Sequence, residues 1–181
     1  NKGGAVVQGH FFPEGVTTYA INTLSKVLAH VRDPRQTVMS WAHYLADPEH
    51  VGRQAHNSYA RVLSHLSLED RIDWAIDWYL PRQIQYLTTW MNGVKSGSIK
   101  ATVLFLKQED LVNDPAAYFN SILDFYSIDR KLFTHPESPT VGKLHFRGGQ
   151  TDEWRQALSS GQTTSVQRLV SDDLLEFYGW E

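Results

Sequence analysis

Three short apolar runs constrain the fold of this chain more than any other feature: AVV at 5–7, VLAHV at 27–31 and TVLFL at 102–106. They are β-branched or leucine-rich and do not alternate with polar residues, as expected of strands covered on both faces, and such strands belong to parallel sheets packed under helices. Helical stretches separate them: 16–25, 35–45, and a long amphipathic pair from about 69 to 92 divided at Pro81, a residue that starts a helix more readily than it sits inside one. This alternation predicts an α/β fold, a parallel sheet flanked by helices. Beyond the third run, Asp114-Pro115 reads as a cap followed by proline at the first helical position, opening a helix through about Tyr126. A loop rich in Pro, Gly and Ser covers about 129–150, and two helices near 151–158 and 162–177 complete the reading. With 181 residues and 41% hydrophobic content, one domain over 1–181 is expected.

The second run ends at Arg32-Asp33-Pro34-Arg35, and Ser40 follows on the next helix, eight positions beyond Arg32. A guanidinium at the end of a strand and a hydroxyl on the following helix can hold one phosphate from two sides, where the helix N-terminus also favours negative charge. A second basic segment, HFRGGQTDEW, offers Arg147 with Gly148 and Gly149, whose bare backbone amides can approach the same anion. A nucleotide phosphate site is the expectation. The formal charge of -3 speaks against a broad nucleic-acid surface, so the cations act locally. The absence of cysteine excludes disulfides and thiolate metal sites. No His-x-x-x-His pair or carboxylate partner stands at ligand spacing, so no metal is expected. No apolar run reaches the length of a membrane span, and a cytoplasmic protein is the default.

Arg32, Pro34 and Ser40 together resemble the Arg-x-Pro…Ser element of the sulfotransferases that use 3′-phosphoadenosine-5′-phosphosulfate (PAPS), where it binds the cofactor's 3′-phosphate. Arg147, Gly149 and Trp154 match in part that family's later Arg-Lys-Gly-x-x-Gly-x-Trp element, with Arg and Trp seven apart. LFLKQEDLVNDP is similar to the family's strand and acidic turn, and the ending FYGW is like that of many bacterial members. Three positions depart from the pattern. Gln108 stands where the family often has a tyrosine stacking near adenine, Gly148 replaces the lysine after the arginine, and Asp152 replaces the second glycine.

The resemblance implies a P-loop-NTPase-like sulfotransferase fold and a cofactor site built from Arg32, Ser40, Arg147, Gly148 and Gly149. It implies that His10, in VVQGHFFPEG, is the general base for the acceptor hydroxyl, with Glu14 a less favoured substitute. The family's Pro-Lys-x-Gly-Thr-Thr loop, which holds the 5′-phosphosulfate, has no counterpart in this sequence. The expectation is therefore a sulfotransferase domain represented by its C-terminal larger part and N-terminally incomplete. The implied reaction transfers a sulfuryl group from PAPS to a hydroxyl of a small molecule and releases adenosine 3′,5′-bisphosphate. The alternative is a non-catalytic domain that binds adenosine 3′,5′-bisphosphate or serves interaction. Phe11, Phe12, Trp41, Tyr44, Trp74, Trp78, Tyr79 and Tyr86 read either as core or as the lining of an acceptor pocket near His10.

Overall fold

The computed structural model describes residues 11–46, 58–137 and 149–180. Two of the three expected strands fall within these limits: β1 spans Lys26–Val31 and β2 spans Thr102–Lys107, while the run at 5–7 lies outside the described residues. The two strands pair in parallel, in register from Lys26 opposite Thr102 to Val31 opposite Lys107. A parallel neighbour needs a long crossover, and the chain between Val31 and Thr102 supplies it as helices. The expectation of strands covered on both faces holds only in part. Ala29 and Val31 are buried, but Lys26 and His30 are exposed, so β1 alternates as it approaches the basic turn.

Helix α1, Val16–Asn22, precedes β1. Helix α2, Pro34–Tyr44, starts where the sequence says it should: Pro34 occupies the first turn, and the Asp33 carboxylate accepts the Arg35 amide at 2.8 Å. Its inner face puts Val38, Met39 and Ala42 into the main core. A further helix, α3, covers Ser58–Ser64.

The pair expected to divide at Pro81 is instead one unbroken helical run. Helix α4, Leu68–Trp74, passes through a π-helical segment, Ala75–Tyr79, into helix α5, Leu80–Lys95. The physical reason lies in proline itself, which has no N–H to donate and crowds the carbonyl four residues earlier. Widening the turn just before Pro81 lets the backbone absorb that defect without ending the helix, and tertiary packing fixes the result: Ile72, Ala75, Ile76, Leu80, Leu87 and Met91 all enter the main core. Burying a side chain such as Leu80 completely stabilises the fold by roughly 1.5–3 kcal/mol.

After β2 come α6, Gln108–Asn113, and α7, Pro115–Tyr126, the latter capped by the Asp114 carboxylate, which accepts the Ala117 amide at 2.9 Å. Asp114-Pro115 therefore caps as read. The C-terminal helices differ from expectation. The stretch near 151–158 condenses to α8, Trp154–Ala157, and that over 162–177 splits into α9, Ser160–Leu169, and α10, Asp172–Tyr178. Val170 is extended, and the Ser171 hydroxyl accepts the Leu174 amide at 3.3 Å, restarting the helix in a new direction. The turn carries Leu174 and Tyr178 into the core beside α5, where the Tyr178 hydroxyl donates to the Leu87 carbonyl at 2.9 Å.

Candidate anion site

Arg32 leaves the end of β1 half-buried and donates from Nη2 to the Gln150 carbonyl at 3.2 Å. Gln150 follows Gly149, whose φ of +70° is a left-handed conformation that glycine adopts without strain. The turn after β1 and the end of the second basic segment, 118 positions apart, thus meet at Arg32. Ser40 sits half-buried on α2. Arg147, Gly148 and His10 lie outside the described residues.

The neighbouring cation is engaged differently. Asp33 and Arg35 are 5% and 8% exposed, and the Arg35 guanidinium donates to both Asp33 oxygens, at 2.7 Å from Nη2 and 3.0 Å from Nε. Such a pair tolerates burial because its polar atoms satisfy each other. Arg35 also lies 4.2 Å over the Trp154 ring. Gln36, fully buried, accepts the Trp154 amide and donates to Glu153, both at 3.3 Å, and Glu153 in turn meets His43 at 3.3 Å. From the other side, Glu109 accepts the Asp33 amide at 3.0 Å and the Trp180 indole at 3.3 Å. Sequence reading of Arg32-Asp33-Pro34-Arg35 did not separate the two arginines. The structure makes Arg35 the cation that clamps α2 to α8, and Arg32 the one that reaches the Gly149-Gln150 backbone.

The surroundings of two residues in this region were not legible in the sequence. The first is His30, on β1 two positions before Arg32. Its Nδ1 lies 2.8 Å from the Tyr118 hydroxyl and its Nε2 2.9 Å from Gln108 Oε1. A carboxamide oxygen only accepts, so Nε2 carries the proton and Nδ1 accepts from Tyr118. Although His30 keeps solvent access, the packing of its ring against these partners partly desolvates it and holds its pKa below the ordinary value, with Arg32 acting in the same direction and Gln108 and Glu109 opposing. A histidine depressed in the folded state binds fewer protons there than in the unfolded chain. Its contribution to stability is therefore intact above the ordinary value of about 6.5 and is lost as pH falls below it. His30→Gln should flatten the loss of unfolding free energy between about pH 7 and pH 5. Equal slopes for the two proteins in urea melts would refute this.

The second is Tyr79, at the end of the π segment. Its ring stacks on Trp41 at 4.2 Å with planes 2° apart, and its hydroxyl accepts from Gln83 Nε2 at 2.8 Å. Burial pushes its pKa up to about 12, against the opposing pull of the Arg32 charge.

The other aromatic residues separate. Phe12 meets Tyr86 edge to face at 5.6 Å and lies under Arg82 at 5.9 Å, while the Phe11 carbonyl accepts the Trp90 indole at 3.1 Å. Glu14 accepts from the Thr89 hydroxyl at 3.3 Å. The segment that follows His10 is thereby fastened along α5. Tyr44 joins Trp41 at 5.1 Å, Trp74 is half-buried, and Trp78 is 68% exposed. Among the described residues, no group of three or more His, Asp or Glu side chains is arranged to hold a metal.

A parallel strand pair under helices, with a basic turn leading from the strand end into a helix N-terminus, defines an α/β domain of the P-loop-like class. Within that class the chain belongs to the sulfotransferase domain family, whose family model matches residues 3–177. Neither the curated proteins nor the solved structures contain a significant match.

Proposed function

We propose that this protein transfers a sulfuryl group from PAPS to a hydroxyl of a small-molecule acceptor, in the cytoplasm. The observation that carries the reading is the meeting of Arg32 with the backbone beside Gly149, which joins the two segments whose sequences resemble the family's 3′-phosphate elements. When bound, PAPS supplies the sulfuryl group, and adenosine 3′,5′-bisphosphate is the product that leaves. Arg32 and Ser40 hold the 3′-phosphate from the β1–α2 side, and Arg147, Gly148 and Gly149 from the other. His10 accepts the proton of the acceptor hydroxyl as its oxygen bonds to sulfur and the bond from sulfur to the phosphate oxygen breaks. Positioning and charge stabilisation carry most of the rate, with no covalent role for the protein. The fit of the donor site rests on the chemistry of the residues present: the Arg32 guanidinium meets the backbone beside Gly149, and the neighbouring Asp33 carboxylate is engaged by Arg35. Among the described residues no helix is long and apolar enough to cross a membrane.

The test combines calorimetry with transfer of labelled sulfate from PAPS. Adenosine 3′,5′-bisphosphate should bind at least about 10-fold more tightly than adenosine 5′-monophosphate, the difference expected of one further charge-assisted contact set. His10→Ala should lower turnover by about 10²–10⁴-fold and leave that binding preference intact. Equal affinity for the two nucleotides would overturn the site. Wild-type turnover in His10→Ala would overturn the base.

A further inference from the structure

We propose that Tyr79 is an additional ligand of the anion held by Arg32, its phenol proton turned toward that anion by Gln83. The inference rests on the nucleotide reading above and extends it to a residue that the sequence grouped with the aromatic lining of an acceptor pocket.

The backbone comes first. The π segment Ala75–Tyr79 lies just before Pro81 and packs against α2, the helix that begins two residues after Arg32. Single π turns inside α-helices frequently occur at functional sites, because the extra residue in the turn re-aims a side chain. Here the side chain at the end of the turn is Tyr79. Its ring is fixed face to face on Trp41, the residue after Ser40, while its phenol feels the charge of Arg32. Tyr79 is therefore held against α2 by its stack on Trp41, within electrostatic reach of Arg32 at the β1 terminus.

The hydroxyl completes the argument. A phenol has one proton to give and lone pairs to accept with. Gln83 Nε2 is a donor and occupies a lone pair at 2.8 Å, so that bond does not consume the Tyr79 proton. The raised pKa keeps the proton on the oxygen throughout the physiological range. A neutral donor within the field of a guanidinium suits a phosphomonoester dianion, whose several oxygens can accept from both, and it adds no further positive charge to a partly buried place.

Tyr79→Phe retains the stacking ring and removes only the donor. By calorimetry its affinity for adenosine 3′,5′-bisphosphate should fall about 10-fold, as for one hydrogen bond to a charged group, while affinity for adenosine 5′-monophosphate and the melting temperature stay as in the wild type. Gln83→Leu should produce a smaller fall of the same selectivity, since the phenol remains but is no longer oriented. If the wild type prefers the bisphosphate and Tyr79→Phe keeps the whole preference, the role of Tyr79 is overturned and the site stands. If the wild type binds both nucleotides equally, the site is overturned and Tyr79 with it.

Discussion

Arg32→Ala should weaken binding of adenosine 3′,5′-bisphosphate by roughly 10- to 150-fold, the equivalent of 1.5–3 kcal/mol for hydrogen bonds to a charged group. Affinity for adenosine 5′-monophosphate should change little, because the missing 3′-phosphate is the group that Arg32 is proposed to meet. The stability cost should be small. Arg32 is half-buried, and its bond to the Gln150 carbonyl lies at the surface. Arg32→Lys separates charge from shape: an ammonium keeps the charge but loses the planar fork, so it should recover part of the affinity and not all of it. Calorimetry with both nucleotides reads every one of these outcomes. An Arg32→Ala protein that binds the bisphosphate as well as the wild type would leave the second basic segment as the only remaining candidate.

The largest loss of stability is expected at the next residue. Asp33→Ala removes a carboxylate that bonds the buried Arg35 guanidinium through both oxygens, and breaking a buried pair from one side costs about 3–5 kcal/mol. The same carboxylate caps α2, and its loss there overlaps with that figure instead of adding to it in full. With a urea dependence of about 1–3 kcal/mol per molar, the unfolding midpoint should fall by at least about 1 M. Asp33→Asn combined with Arg35→Met removes both charges and leaves a capping side chain, so it should recover most of the loss, as apolar replacements of buried ion pairs often do. A single Asp33→Ala change costing under about 1 kcal/mol would mean that the Arg35 guanidinium finds water when its partner is gone. Function should follow structure here. Arg35 stacks on Trp154, and α8 anchors the chain just after Gln150, so loosening the pair loosens the backbone that Arg32 reaches.

Much of the framework was legible because its signals are local. Both described strands are apolar runs read directly, and Asp33-Pro34 and Asp114-Pro115 announce their helices through a cap and a proline that act within three residues. Where local signals conflicted with packing, the reading failed. Pro81 suggested a break, yet the core demanded a continuous helix and the backbone met both with a π turn. Ser171 was read as helix interior, but its capping hydroxyl and the burial of Leu174 and Tyr178 favour a restart.

The site divides along the same line. Arg32, Ser40 and Gly149 were candidates from spacing and resemblance, whereas the contacts of Arg35, His30 and Tyr79 were not legible. The sequence by itself determined which segments are strands, where helices begin, and that two basic segments exist. Only the tertiary structure decided that Arg32 meets Gln150 across 118 positions, that Asp33 takes Arg35 as its partner, and that Tyr79 lies against Trp41. The reason is physical: caps and strand runs depend on neighbours within a turn, while contacts between distant residues form only after the core has paid their loop-closure entropy.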